Sequence, residues 1–130
     1  MRFAVGVDIV DVPRVQQMLD EHPSFCDDIF STTELKYCAA KKNRTAHLAA
    51  RFAAKEAVLK ALGTGLGPGM AWTDIEVHND TLGRPQLVLH GRPAALMTKN
   101  GGSAQVSLSH TRSHAIAQVV VLFYPAVLQA

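Results

Sequence analysis

An α+β fold is predicted by three observations: an alternating strand at the N-terminus, a long alanine-rich helix in the middle, and two strand pairs with turn-forming linkers after it. Residues 3–10, F-A-V-G-V-D-I-V, alternate so that Phe3, Val5, Val7 and Ile9 look one way and Ala4, Gly6 and Asp8 the other. Asp8 therefore shares a face with small neighbours, where a ligand can approach. Asp11 and Pro13 read as the cap and first turn of a short helix that carries Val15, Met18 and Leu19 inward and Arg14 at its outer start. His22 and Pro23 close it. Residues 33–40 form a second helix, and the basic stretch Lys41, Lys42, Asn43, Arg44 leads into the long one, either as a solvated loop or as part of a binding surface.

The long helix carries R-F-A-A-K-E-A-V-L-K-A-L-G-T-G at 51–65. At 3.6 residues per turn, Leu48, Phe52, Leu59 and Leu62 make one apolar stripe, with Lys55 inside it and Arg51 and Glu56 on its flanks. A charge aimed at a core is costly unless paired, so these three are expected to face a wet, ligand-filled cleft. The alanines at 49, 50, 53, 54, 57 and 61 let another backbone pack close, and Gly63 ends the helix. A glycine-rich loop reaches residue 69. Residues 72–78 and 86–90 then read as strands joined by N-D-T-L-G-R-P, residues 93–99 as a short helix, and 104–110 and 115–124 as a second hairpin. Antiparallel strands with helices laid against them fit α+β better than a doubly wound sheet.

At 130 residues and 48% hydrophobic, the chain is expected to be a single domain over 1–130 with a small core, one that oligomerisation would help. No apolar run approaches the ~20 residues that span a bilayer, and the N-terminus meets an acid too early for a signal peptide, so a cytoplasmic protein away from membranes is expected. Cys26 and Cys38 fit neither a disulfide framework nor a four-ligand zinc site and read as free thiols. The net charge of +2 does not call for nucleic acid, yet it allows an acidic partner.

Asp8 and Glu56, a strand carboxylate and a helix carboxylate at positions where apolar residues are usual, suit Mg²⁺, which takes one or two carboxylates with water and phosphate oxygens. The spacing equally allows a buried Asp8–Lys55 pair or an intrahelical Glu56–Lys60 pair. His110 and His114 are four apart but across a T-R-S turn, with no H-E-x-x-H, which argues against zinc. His110, between Ser109 and Thr111 at a strand end, is placed to hydrogen-bond a ligand, or is simply an exposed turn histidine. G-T-G-L-G-P-G lacks the G-K-[ST] of a phosphate loop.

Taken together, G-V-D-I-V-D-V-P-R at 6–14, R-F-A-A-K-E-A-V-L-K-A-L-G-T-G at 51–65, D-I-E-V at 74–77, G-R-P at 83–85 and V-S-L-S-H-T at 106–111 resemble, in order and over nearly the whole chain, the holo-acyl-carrier-protein synthases, small 4'-phosphopantetheinyl transferases. The resemblance implies that family's fold, an antiparallel sheet packed against a long central helix. It implies transfer of phosphopantetheine from coenzyme A, the donor substrate, to a serine of an apo acyl carrier protein in fatty-acid synthesis, leaving adenosine 3',5'-bisphosphate. By the same resemblance Asp8 and Glu56 hold Mg²⁺, Lys55 contacts the phosphates, Arg51 and His110, with Thr111 beside it, serve the 3'-phosphate, and Gly63, Thr64 and Gly65 form the loop beside the cofactor. Arg84 and Pro85 lie near adenine. Short members are homotrimers with active sites between subunits, and Arg14 is the basic residue best placed to meet an acidic carrier. The segment after the first helix carries acids, Asp27 and Asp28 among them, where relatives often carry bases, and the tail at 124–130 has no assigned role. Two rivals are a coenzyme A-binding or carrier-binding module without transfer activity and another Mg²⁺-dependent phosphotransferase acting on nucleotides.

Overall fold

The computed structural model describes residues 1–125; tail residues 126–130 lie outside the described residues. The chain runs β1 (Arg2–Asp11), α1 (Val12–Glu21), α2 (Ser24–Ile29), α3 (Thr32–Ala39), α4 (Arg44–Leu62), a 3-10 turn (Trp72–Asp74), β2 (Ile75–Asn79), β3 (Pro85–Leu89), α5 (Gly91–Lys99), β4 (Gly102–His110) and β5 (His114–Phe123). Strands β1, β5 and β4 form one antiparallel sheet in that order, and β2 and β3 a separate antiparallel hairpin. Helix α4 lies across the sheet, so the expected α+β arrangement is present.

Local chemistry explains the boundaries. The Asp11 carboxylate accepts the Arg14 N–H at 3.2 Å, which starts α1 where Asp11 and Pro13 predict it. At α3, Ser31 and Glu34 form a reciprocal capping box. Gly63 closes α4 at φ 76°, a left-handed conformation that glycine adopts without strain. Two expectations need correction. The six-residue α2 falls in a stretch left unassigned; it is too short to show a period, and what holds it is the burial of Ile29 and Phe30. The strand expected at 72–78 starts only at Ile75, because the Asp74 carboxylate accepts the Ala71 N–H at 2.9 Å and winds a 3-10 turn.

The first strand inverts the usual binary pattern. Its small residues, Ala4 and Gly6, face α4, while Phe3 (68% exposed), Val5, Val7 and Ile9 face outward beside Ile116 of β5. The inversion follows from the alanine face of α4: Ala49, Ala50, Ala53, Ala54 and Ala57 are all buried, and only another small surface approaches that closely. At the tightest point, a β-carbon added to Gly6 would lie 1.8 Å from the Ala57 carbonyl oxygen. The obstruction is backbone, so it cannot swing aside. We therefore expect Gly6→Ala to force β1 and α4 apart and to destabilise the protein by about 3 kcal/mol or more, read as a lowered urea midpoint. An unchanged midpoint would mean that the two backbones are not in contact in solution.

Candidate active site

Asp8, two residues beyond Gly6 on β1, emerges at the rim of the α4 contact, where its side chain keeps 16% of its exposure. There Lys60 of α4 donates to Asp8 Oδ1 at 2.9 Å and to the Val7 carbonyl at 2.9 Å. Glu56, one turn before Lys60, is half-buried and faces the same rim. Burial first, then the Asp8 charge, pushes the Glu56 carboxyl above the ordinary 4.5, and Lys60 pulls it back only in part. Neither ion pair foreseen from spacing forms: Asp8 takes Lys60 and not Lys55, and no Glu56–Lys60 hydrogen bond occurs. Two half-buried carboxylates share one lysine, so among the described residues their negative charge is only partly neutralised. This donor set suits a hard divalent cation with open positions for water and phosphate oxygens.

Lys55 and Arg51 do not face a wet cleft. Lys55 is fully buried; its ammonium donates to Glu34 Oε1 at 2.7 Å, to the Trp72 carbonyl at 3.3 Å and to the Ile75 carbonyl. Burial lowers its pKa, and the Glu34 charge opposes that fall. A partner 21 residues upstream, Glu34, supplies the pairing for which the sequence suggested a ligand. Arg51 is 1% exposed, stacked on the Tyr37 ring at 4.5 Å and bonded to the Asn79 side chain, with the His47 carbonyl accepting at 3.4 Å; its Nε–H has no partner.

The other expected site residues are spread over separate surfaces. His110 and Thr111 line a groove of about 650 Å³ with Lys42, Asn43, Arg44 and Arg112. Asn43 donates its amide Nδ2–H to His110 Nε2 at 2.9 Å, and the His110 ring meets the His47 ring edge-on at 5.1 Å. Gly63, Thr64 and Gly65 form an exposed turn after α4, and Arg84 and Pro85 flank a second groove between β3 and β4. Arg14 is exposed and lines a third groove, of about 630 Å³, with Ile9, Met18, Phe52 and His114. Within one chain, therefore, the structure brings together Asp8 and Glu56, and separately His110, Thr111 and the basic stretch. In D-I-E-V, Glu76 is bonded by His90 at 2.6 Å and His78 at 3.2 Å. Sequence reasoning missed Lys60 as the Asp8 partner, Glu34 as a buried carboxylate, and His47 and Asn43 beside His110. Position i+4 from Glu56 signalled Lys60 as a neighbour of the rim; His47 left no signal, because its ring contacts join α4 to α3 and β4. Both cysteines are free, as expected.

The model of the 4'-phosphopantetheinyl transferase superfamily matches residues 4–119. The chain is 47% identical over 123 residues to a holo-[acyl-carrier-protein] synthase of Trichlorobacter lovleyi and likewise 47% identical to one of Geobacter sulfurreducens, each match covering 93% of this chain and 98% of the relative. Among solved structures, an ACPS–CoA complex of Chronobacterium ammoniagenes superposes with a TM-score of 0.85 at 32% identity, over 96% of this chain and all of that one. A Helicobacter pylori holo-[acyl-carrier-protein] synthase in complex with coenzyme A gives 0.79 at 30%, over 91% of this chain and 99% of that one. The chain belongs to the 4'-phosphopantetheinyl transferase superfamily and, within it, to the holo-acyl-carrier-protein synthases, which makes it an enzyme of the transferase class.

The strained carboxylate pair has a stability signature. A carboxyl raised in the folded state binds protons more readily there than in the unfolded chain, so its contribution to stability falls as pH rises from 4.5 through the raised value. Glu56→Gln removes that penalty. The variant is expected to unfold at a higher temperature than the wild type at about pH 7, with the gap closing at acid pH, in metal-free buffer. A gap that widens on acidification would reverse the assigned direction.

Proposed function

We propose that this chain transfers the 4'-phosphopantetheine arm of coenzyme A to a serine hydroxyl of an apo acyl carrier protein, giving holo carrier protein and adenosine 3',5'-bisphosphate, with Mg²⁺ held by Asp8 and Glu56. The observation that carries the reading is the convergence of these two carboxylates on one rim, under-neutralised by Lys60. The metal, when bound, supplies positive charge to the pyrophosphate oxygens on which negative charge builds as the serine attacks. The chain's own residues do the rest. Lys60, 54% exposed, donates to Asp8 and the Val7 carbonyl and keeps a third ammonium proton for a phosphate oxygen, a role that the buried Lys55 is not placed to take. The serine proton would pass to Glu56 or to a water held beside it. His110, Thr111 and the basic residues around Asn43 would take the 3'-phosphate, the turn at Gly63, Thr64 and Gly65 would lie along the cofactor, and Arg84 and Pro85 would border adenine.

The reading includes a homotrimer with active sites between subunits. Phe3, Val5, Val7, Ile9 and Ile116 leave one face of the sheet apolar and exposed, more than an isolated chain of this size favours. His47, which abuts His110, and Glu56 are nine positions apart on α4, about two and a half turns, so they point to opposite sides of the helix. A ligand touching both the His110 groove and the carboxylate rim is more easily served by two neighbouring chains than by one. Among the described residues no helix is long and apolar enough to cross a membrane. Cytoplasmic location and a role in fatty-acid synthesis complete the proposal.

The test is incubation with coenzyme A, Mg²⁺ and candidate apo carrier proteins, with mass spectrometry for one added phosphopantetheine. Asp8→Ala and Glu56→Ala should each abolish transfer in a folded protein, and chelation should do so reversibly. Substantial turnover by the double variant would remove both residues from the site. Carrier docking is assigned to Arg14, exposed at the start of α1 beside an apolar groove and suited to an acidic carrier helix. Arg14→Glu should raise the KM for the carrier about tenfold, or about 1.4 kcal/mol, and leave the KM for coenzyme A nearly unchanged. Equal changes in both would place docking elsewhere.

A further inference from the structure

We propose that His47 is a positioning residue of the donor site whose imidazole takes up a proton when the phosphomonoester of coenzyme A docks against His110, so that donor affinity depends on pH. The inference rests on the proposed use of His110 at the 3'-phosphate. His47 sits in the first turn of α4, half-buried between the Tyr37 ring of α3 at 6.2 Å and the His110 ring at the end of β4 at 5.1 Å, both edge-on. It does not line the groove itself. Its backbone carbonyl accepts from Arg51 at 3.4 Å, which ties it to the buried guanidinium. The charged and titratable groups that face it are Tyr37 from α3, Lys41 from the α3–α4 connection, Arg51 from α4 and His110 from β4. None of these is a carboxylate.

In the ligand-free chain, burial first and then the His110, Arg51 and Lys41 charges hold the His47 pKa below the ordinary 6.5, so the ring is neutral at neutral pH. The Asn43 amide lies 2.9 Å from His110 Nε2 and fixes that ring's orientation. A phosphomonoester entering the groove beside Lys42, Arg44, Thr111 and Arg112 brings about two negative charges next to His110, behind which His47 stands. The local potential becomes more negative, and the pKa of His47 rises. A proton then moves from solvent to the free ring nitrogen; no covalent bond of the ligand changes. With the free-state pKa below the bound-state value, affinity is greatest at pH below both and falls as pH rises through the interval between them.

The test is calorimetric titration of the intact protein with coenzyme A and with dephospho-coenzyme A at about pH 7, in buffers of different ionisation enthalpy, to count the protons taken up. His47→Phe keeps a ring of similar volume and His47→Gln keeps polarity; neither titrates. Because the phosphate of coenzyme A itself titrates near about pH 6, the readout is the difference between wild type and variant. We expect wild type to take up more protons per coenzyme A than either variant, by up to about one per site, and no such difference with dephospho-coenzyme A. The KM for coenzyme A should rise with pH across this interval in wild type and stay flatter in both variants, which a packing role alone would not produce. Equal proton counts in wild type and variants, or an equal difference with dephospho-coenzyme A, overturns the inference alone. If neither form of coenzyme A binds the wild type, the donor reading fails and the inference fails with it.

Discussion

The buried pair between Lys55 and Glu34 is the constraint on which the arrangement of this fold depends. Both side chains are fully excluded from water, and an ammonium in such a place requires an acceptor for each of its three protons. Glu34, the Trp72 carbonyl and the Ile75 carbonyl supply them, from α3, the 3-10 turn and the start of β2. Glu34 in turn accepts the Ser31 N–H at 3.1 Å and the Val77 N–H at 3.0 Å, so one carboxylate caps a helix, anchors a strand and neutralises a charge. Such pairs add little net stability compared with apolar residues, but losing one partner costs about 3–5 kcal/mol, because the other charge stays buried. The pair acts here as a locator. It makes one rotation of α4 far better than its alternatives, and each neighbouring position follows at about 100° per residue. With Lys55 turned inward, Glu56 is swung to the β1 side, and Lys60, just over a turn later, reaches Asp8.

The second constraint is the closeness of β1 and α4. Gly6 against the Ala57 carbonyl allows the strand to lie nearly on the helix backbone, and the alanines on either side keep that approach uniform. Asp8 is therefore delivered to the rim by the same small-residue surface that fills the core. The cost is carried by the other face of the sheet. Large side chains that would normally build a core have no room inside and are turned outward, which gives the chain a reason to associate. Site geometry and the exposed apolar face thus follow from one alternating decapeptide.

Much of this was legible in the sequence. Alternation over 3–10, the Asp11 cap and the Gly63 stop each depend on residues within a few positions of one another, and each element formed where local chemistry indicated. Asp8 and Glu56 stood out because each breaks an apolar pattern. The same rule misread Lys55 and Arg51: a charge in an apolar stripe signals a partner, but the pattern cannot say whether that partner is a ligand or Glu34. The S-T-T-E sequence at 31–34 fits a capping box, which the reading of a helix over 33–40 did not use, and nothing local shows that the Glu34 carboxylate also reaches α4 and β2. His47 was silent for a similar reason, since its meaning comes from Tyr37 and His110, which lie ten and sixty-three positions away.

Charge is distributed along α4 in a way that bears on the proposed homotrimer. The first turn of the helix has no acidic residue and no side-chain cap, and the basic stretch at 41–44 precedes it, so the positive end of its dipole is left to attract anions. The carboxylate rim lies about 13 Å further along the axis, on the opposite side, and attracts cations. One helix thus presents an anion-seeking end and a cation-seeking flank that its own body separates. A donor that carries a phosphomonoester at one point and a pyrophosphate at another needs both kinds of surface together. In the proposed homotrimer, a second copy packed on the exposed apolar sheet would bring the anion-seeking end of one α4 towards the cation-seeking flank of another, and assembly would then be coupled to catalysis through residues that the fold already places.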